Sequence, residues 1–109
     1  MAKWITKASL LVAALAVFAA AGCAPSNLAN CHAACDSEQR CGTITDSQAQ
    51  NCHTDCDSKK GSLQDQQNST DMQCKNAGTV RSADHNCLQM DCNKIVSCLG
   101  AVDRTCVKP

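Results

Sequence analysis

The pattern of apolar and polar positions divides the chain into two parts. Leu10 to Gly22 is an unbroken run of apolar or small residues, and Lys3 and Lys7 precede it. A membrane-spanning helix needs about 20 apolar residues. The shorter run, with its positive flank, is typical of a signal-peptide core. We therefore expect residues 1–22 to be a signal peptide and the polar remainder to form one small domain, 28–109, behind a short tether, 23–27.

Cysteine spacing predicts a helical hairpin at the start of the polar part. Cys31 and Cys35, and later Cys52 and Cys56, are four residues apart, so each pair shares one face of a helix. The predicted helices span about 27–41 and 46–60. Gly42 can end the first helix in a left-handed conformation, and Gly61 is expected to end the second. Thr45 is expected to cap the second helix, with Gln48 completing a capping box.

The pattern after the hairpin is weaker. Residues 62–71 are polar and are expected to form a loop or a poorly held helix, followed by a helical turn around Cys74. Ser82 is a plausible cap for a last helix at about 83–99. Its apolar stripe, spaced four, three and four residues, comprises Leu88, Cys92, Ile95 and Leu99. The expected fold is small, mostly α and rich in disulfides, with a hairpin, a C-terminal helix and polar loops.

An internal repeat supports this organisation. The segment 30–37 returns 21 residues later as 51–58, with six of eight positions identical, and a looser copy occupies 86–93. Such self-similarity indicates duplication of a cysteine-bearing helix.

Composition makes disulfides necessary. Both aromatic residues, Trp4 and Phe18, lie in the predicted signal peptide, so the domain has no aromatic side chain for its core. Eleven cysteines are present. Without Cys23 the number is even, which in an exported domain predicts five disulfides. The ten cysteines are Cys31, Cys35, Cys41, Cys52, Cys56, Cys74, Cys87, Cys92, Cys98 and Cys106.

The end of the signal peptide, Ala20-Ala21-Gly22-Cys23, resembles the lipobox of bacterial lipoproteins, although that family usually has leucine where Ala20 stands. The resemblance implies cleavage before Cys23, lipidation of this cysteine with diacylglycerol and acyl chains such as palmitate, and membrane anchoring. Ala24 after the lipidated residue implies the outer membrane. The competing prediction is ordinary A-x-A cleavage before Gly22, with Ala19 and Ala21 as the small residues.

Hairpin register predicts two of the pairings. In an antiparallel hairpin the facing positions have a constant index sum, and Cys31 with Cys56 and Cys35 with Cys52 both give 87. Cys41 has no cysteine facing it and must reach the C-terminal half. The other cysteines cannot be assigned. The twin C-x3-C hairpin resembles the small Tim chaperones and the plant α-hairpinins, and this resemblance implies shared architecture.

Few residues are candidates for chemistry. No C-x-x-C motif supports thiol redox catalysis. His32 with Asp36, and His53 with Asp57, are i, i+4 pairs that the hairpin would bring to one side, where they could bind a transition metal. The alternative is that they are solvated surface residues repeated by duplication. His85 has no predicted partner.

The predicted function is a non-catalytic cell-envelope lipoprotein with a structural or binding role and no cofactor. From Cys23 onward the chain has eight basic and ten acidic residues, which gives no basic patch for nucleic acid. The predicted partner is therefore the membrane, through the lipid on Cys23. One alternative is a metal-binding protein, through the histidine pairs or through reduced thiols. Another is a secreted toxin or antimicrobial of hairpinin type.

Overall fold

A computed structural model describes residues 24–106, and this part folds into five helices and no strand. The predicted signal peptide, Cys23 and residues 107–109 lie outside the described residues. The prediction of a small, mostly α, disulfide-rich fold is confirmed. The helices are α1 Asn27–Arg40, α2 Asp46–Ser58, α3 Lys60–Gln73, α4 Ala77–Leu88 and α5 Ile95–Ala101.

The hairpin of α1 and α2 has the predicted local signals. Gly42 has φ of 75°, the left-handed conformation that its position after α1 requires. Thr45 and Gln48 form the capping box, with each side chain accepting a hydrogen bond from the other's backbone N–H. At the start of α1, Ser26 caps by accepting from the N–H of Ala29 at 3.0 Å. The second helix ends at Ser58, two residues before the predicted end.

The prediction of a loop or poorly held helix at 62–71 is wrong, because α3 covers this segment and includes Gly61 in its first turn. None of its residues is buried, so the sequence of this segment has no apolar stripe that would predict a helix. Hydrogen bonds to the start of α1 hold the helix in place. The backbone N–H of Asn27 donates to Gln67 Oε1 at 2.8 Å, and Asn27 Nδ2 donates to the Leu63 carbonyl at 3.4 Å.

The single last helix predicted at 83–99 is also wrong. Two helices, α4 and α5, replace it, and Ser82 lies inside α4 instead of capping it. The disulfide Cys87–Cys98 explains the break, since its Cα atoms are 5.5 Å apart. Eleven residues of continuous helix would separate them by about 16 Å at a rise of 1.5 Å per residue. The chain between these two cysteines must therefore turn back.

Five disulfides connect the helices. Two of them, Cys31–Cys56 and Cys35–Cys52, are the predicted hairpin pairs, each with Cα atoms 5.8 Å apart. Cys41 reaches the C-terminal half through Cys92, in the turn between α4 and α5. The remaining bonds are Cys74–Cys106 and Cys87–Cys98.

The core consists largely of cystine sulfur. Cys35, Cys56 and Cys87 are at most 2 % exposed, and Cys74 is also buried. Beside them the buried apolar residues are Ala49, Ala77 and Val80, so Val80 is the only large aliphatic side chain buried in the described part. Disulfides therefore both fill and cross-link the centre of this domain.

Candidate functional site

The hairpin brings His32 and His53 together on its surface. Each histidine follows a half-cystine, Cys31 on α1 and Cys52 on α2, so the two disulfides fix the helix backbones on which the imidazoles stand. Both side chains are about one third exposed, at 30 % and 32 %. The two histidines are thus partly exposed side chains on two helices that disulfides hold together.

Four side chains form a row across the two helices. His32 Nδ1 lies 2.5 Å from His53 Nδ1. At the outer ends, His32 Nε2 lies 2.8 Å from Asp57 Oδ1, and His53 Nε2 lies 2.9 Å from Asp36 Oδ1. The row therefore reads carboxylate, imidazole, imidazole, carboxylate. The two outer distances are nearly equal because the segments 30–37 and 51–58 are copies of each other, and each copy supplies one histidine and one aspartate.

The two imidazoles meet edge to edge. Their planes are nearly parallel, at 17°, as they would also be in a stacked pair, and their centroids are 4.8 Å apart. The Nδ1 separation of 2.5 Å is shorter than this by about two ring radii. Both Nδ1 atoms therefore lie close to the line between the centroids, and the rings are nearly coplanar instead of one above the other. Each Nδ1 points at the other.

Hydrogen-bonding rules assign the protons on the rings. An ionised carboxylate only accepts hydrogen bonds, so each Nε2 carries a proton and donates it outward, His32 to Asp57 and His53 to Asp36. A neutral ring with a proton on Nε2 has a lone pair on Nδ1. Two lone pairs at 2.5 Å would repel, and two protons would clash. A hydrogen bond between the Nδ1 atoms requires one proton between them.

The structure brings together the four residues that the sequence singled out but pairs them differently. The prediction placed His32 with Asp36 and His53 with Asp57, each within one helix, whereas the observed contacts cross between helices. The carboxylates also lie at the outer nitrogens and do not converge with the Nδ1 atoms. In residues 24–106 no group of three or more histidine, cysteine, aspartate or glutamate side chains comes together as a metal site.

His85 is separate from this row. Its Nδ1 lies 3.1 Å from Asn30 Oδ1, and its Nε2 lies 2.9 Å from Gln89 Nε2. The bond to Asn30 ties α4 to α1, and the bond to Gln89 joins two residues at the end of α4, so both explain His85 as a structural residue. It borders a cleft of about 430 Å³, with His32 and Asp36 also on the wall.

A larger cleft, of about 650 Å³, lies between α1, α3 and α4 and has two arginines on its wall. Arg81 pairs with Asp71 at 2.5 Å, and Arg104 pairs with Asp84 at 2.5 Å. The hydrogen bond from Arg104 to Asp84 raises the pKa of the arginine further above its usual range. Both cations are neutralised, so the cleft has no unpaired charge on these residues for an ionic ligand. The partners are ten and twenty residues apart, a separation that gives no local sequence signal.

No match to this chain is found among protein-family models, curated proteins or solved structures. Within residues 24–106, none of the helices combines the length and the apolar character needed to cross a membrane.

Proposed function

We propose that the chain is a non-catalytic, disulfide-stabilised lipoprotein of the bacterial cell envelope, anchored through Cys23, with a structural or binding role. The observation that carries this proposal is the complete pairing of the cysteines in residues 24–106, which leaves none of them to bond with Cys23. A lipobox-type cysteine is acylated, so it needs no disulfide partner. Five disulfides also suit an oxidising compartment outside the cytoplasm.

The start of the domain supports a location close to the membrane surface. The Pro25 carbonyl accepts a hydrogen bond from Arg81 Nε at 2.8 Å. A Cβ atom at Gly78 would lie 3.3 Å from the Ala24 Cβ, so the tether runs close against α4. A domain bound so near to its lipidated residue would be held at the membrane instead of at the end of a long linker. Ala24 at the position after the lipid supports the outer membrane as the destination.

A structural or binding role fits the surface of the domain. Most residues of α3 are polar and none of its residues is buried, although two cross-helix hydrogen bonds order it. All ten described cysteines are oxidised, which removes thiol chemistry from this part of the chain. The domain thus offers a rigid polar helical surface, a form suited to contact with another envelope component.

The test is the intact mass of the protein extracted from its native host, with and without reduction before thiol alkylation. We expect a chain that starts at Cys23, carries added acyl mass, and takes up ten alkyl groups only after reduction. The matched variant Cys23→Ser should leave the membrane fraction and keep its five disulfides. A chain in the medium that starts at Gly22 without lipid would overturn the anchor and favour the secreted toxin or antimicrobial. Alkylation before reduction would overturn the disulfide framework.

A further inference from the structure

We propose that His32 and His53 form a two-coordinate site for a soft monovalent d10 cation, of the class of Cu⁺ and Ag⁺, which takes the place of the proton between their Nδ1 atoms. The proposal goes beyond the envelope function and does not depend on the lipid anchor. It rests on the row of four side chains and on the direction that this row gives to the two Nδ1 atoms.

The outer contacts prepare the two nitrogens as ligands. A metal-binding histidine usually donates its other ring N–H to a carboxylate, which fixes the tautomer and makes the ligating nitrogen more basic. Asp57 and Asp36 occupy this position at the two Nε2 atoms, at 2.8 and 2.9 Å. The lone pairs of both Nδ1 atoms are therefore directed inward, each at the other histidine.

The number and direction of the donors select the class of cation. The nearly coplanar rings present two nitrogens in opposite directions along one line. In residues 24–106 no group of three or more histidine, cysteine, aspartate or glutamate side chains is placed to hold a metal ion. Structural zinc sites need four tetrahedral ligands, and calcium takes six to eight oxygens. Monovalent d10 ions accept two donors in a line, and imidazole is a suitable ligand for copper.

The exchange balances in charge and atoms. The proton between the Nδ1 atoms carries one positive charge, and the entering cation carries one. Two nitrogen–metal bonds form, one at each Nδ1. The N–H bond of the proton between the two Nδ1 atoms breaks, and this proton leaves to solvent. The total charge of the row is the same with the cation as with the proton, so the two flanking carboxylates face one positive charge in either case.

The side chains have room to accommodate the ion. With metal–imidazole bonds of about 2 Å, the Nδ1 atoms must separate to about 4 Å. The imidazoles are partly exposed, and the aspartates are 67 % and 69 % exposed, so both can move outward. The disulfides keep the Cα atoms of each hairpin pair 5.8 Å apart, so the two histidines stay opposite each other during the shift.

The experiment titrates the full chain with Ag⁺ in chloride-free solution. Silver is chosen because Cu⁺ needs a reductant that would attack the disulfides. Alkylation without reduction blocks any thiol, which makes the result independent of the lipidation state of Cys23. We expect native mass spectrometry to show one Ag⁺ per chain.

Matched variants identify the ligands. His32→Ala and His53→Ala should each lose the bound ion, and His85→Ala should keep it. Asp36→Asn should weaken binding by about 10–100-fold through the lost outer contact, whereas Asp55→Asn, an exposed aspartate on α2, should not. Far-UV circular dichroism checks that each variant folds. Silver retained by either histidine variant, silver lost from His85→Ala, or displacement of silver by an equal amount of Zn²⁺ would overturn the proposal.

Discussion

Thr45 stabilises the start of α2 through two reciprocal hydrogen bonds. Its Oγ1 accepts from the backbone N–H of Gln48 at 3.2 Å, and Gln48 Oε1 accepts from the backbone N–H of Thr45 at 2.9 Å. Thr45→Ala removes the first of these and leaves a helix-terminal N–H to water. We expect a loss of about 1 kcal/mol in the free energy of unfolding, measured by urea denaturation with the disulfides intact.

Thr54→Ala is the control for this cap. Thr54 is also exposed and on α2, but its Oγ1 only donates back to the Gln50 carbonyl at 2.9 Å, inside the helix. Such a bond adds little to a helix, and alanine has the higher helix propensity. The control should be as stable as the natural chain or slightly more so. Equal stability of Thr45→Ala and Thr54→Ala would show that the capping box contributes nothing.

Asp103 is held ionised by the residue two places on. The hydroxyl and the backbone N–H of Thr105 both donate to its carboxylate, and these bonds, the hydroxyl first, lower the pKa of Asp103 below its usual range. A carboxyl with a lowered pKa stabilises the fold above its unfolded pKa, and this contribution is lost as the pH falls through the folded value. The turn at Asp103 should therefore persist down to a pH below about 4 and open only under more acidic conditions.

Thr105→Val separates the two donors, because it removes the hydroxyl and keeps the N–H. The pKa of Asp103 should rise toward its ordinary value, as followed by NMR titration of the carboxyl carbon. A carboxyl with the same pKa in both proteins would mean that the hydroxyl does not contribute.

The helices that the sequence predicts correctly are those with local signals. Gly42 and the Thr45–Gln48 capping box bound the hairpin, and the cysteine spacing gives its register. The polar helix α3 has no such signal, because contacts to Asn27 hold it. The break between α4 and α5 depends on the pairing Cys87–Cys98, which no spacing rule selects.

The candidate site shows the same limit. Its four residues could be found from the sequence, because the histidine–aspartate spacing repeats with the duplication. Their crossed contacts could not, because i, i+4 spacing describes neighbours within one helix, whereas His32 contacts Asp57 and His53 contacts Asp36 on the facing helix. Side-chain direction between helices is decided by packing, which the spacing does not contain.

The disulfides should open in a defined order. Cys92 is exposed, its partner Cys41 is only half-buried, and Arg40 Nη1 lies 3.8 Å from Cys92 Sγ, where its charge attracts an attacking thiolate. Cys35, in contrast, is 1 % exposed and bonded to Cys52. Because exchange requires access to sulfur, limiting reductant followed by alkylation should label Cys41 and Cys92 before Cys35 and Cys52.

Peptide mapping by mass spectrometry gives this order directly. Arg40→Gln removes the positive charge beside Cys92 and should slow the first step without changing the rate at the hairpin. A first label on the hairpin cysteines would contradict the order inferred from exposure.

The stability of the whole molecule depends on covalent bonds to an unusual degree. No described helix is longer than 14 residues, and isolated helices of this length are marginal in water. The described part buries one large aliphatic side chain, Val80, beside half-cystines and alanines. The disulfide Cys41–Cys92 joins two residues that are 51 apart in the sequence. Because it restricts the unfolded chain, this bond alone adds about 4 kcal/mol to the free energy of unfolding. The small apolar core buries too little surface to compensate for the loss of these disulfides.

Full reduction should therefore unfold the domain. Far-UV circular dichroism in excess reductant, without alkylation, should lose its helical minima, and reoxidation should restore them. The expected loss is stepwise: opening Cys41–Cys92 detaches the turn between α4 and α5 from the end of α1, while α1 and α2 keep two disulfides and their helical signal. A reduced chain that stays fully helical would mean that the thiols pack as well as the cystines. Since the same atoms would then fill the core without cross-links, that outcome would assign the stability to burial instead of to restriction of the unfolded chain.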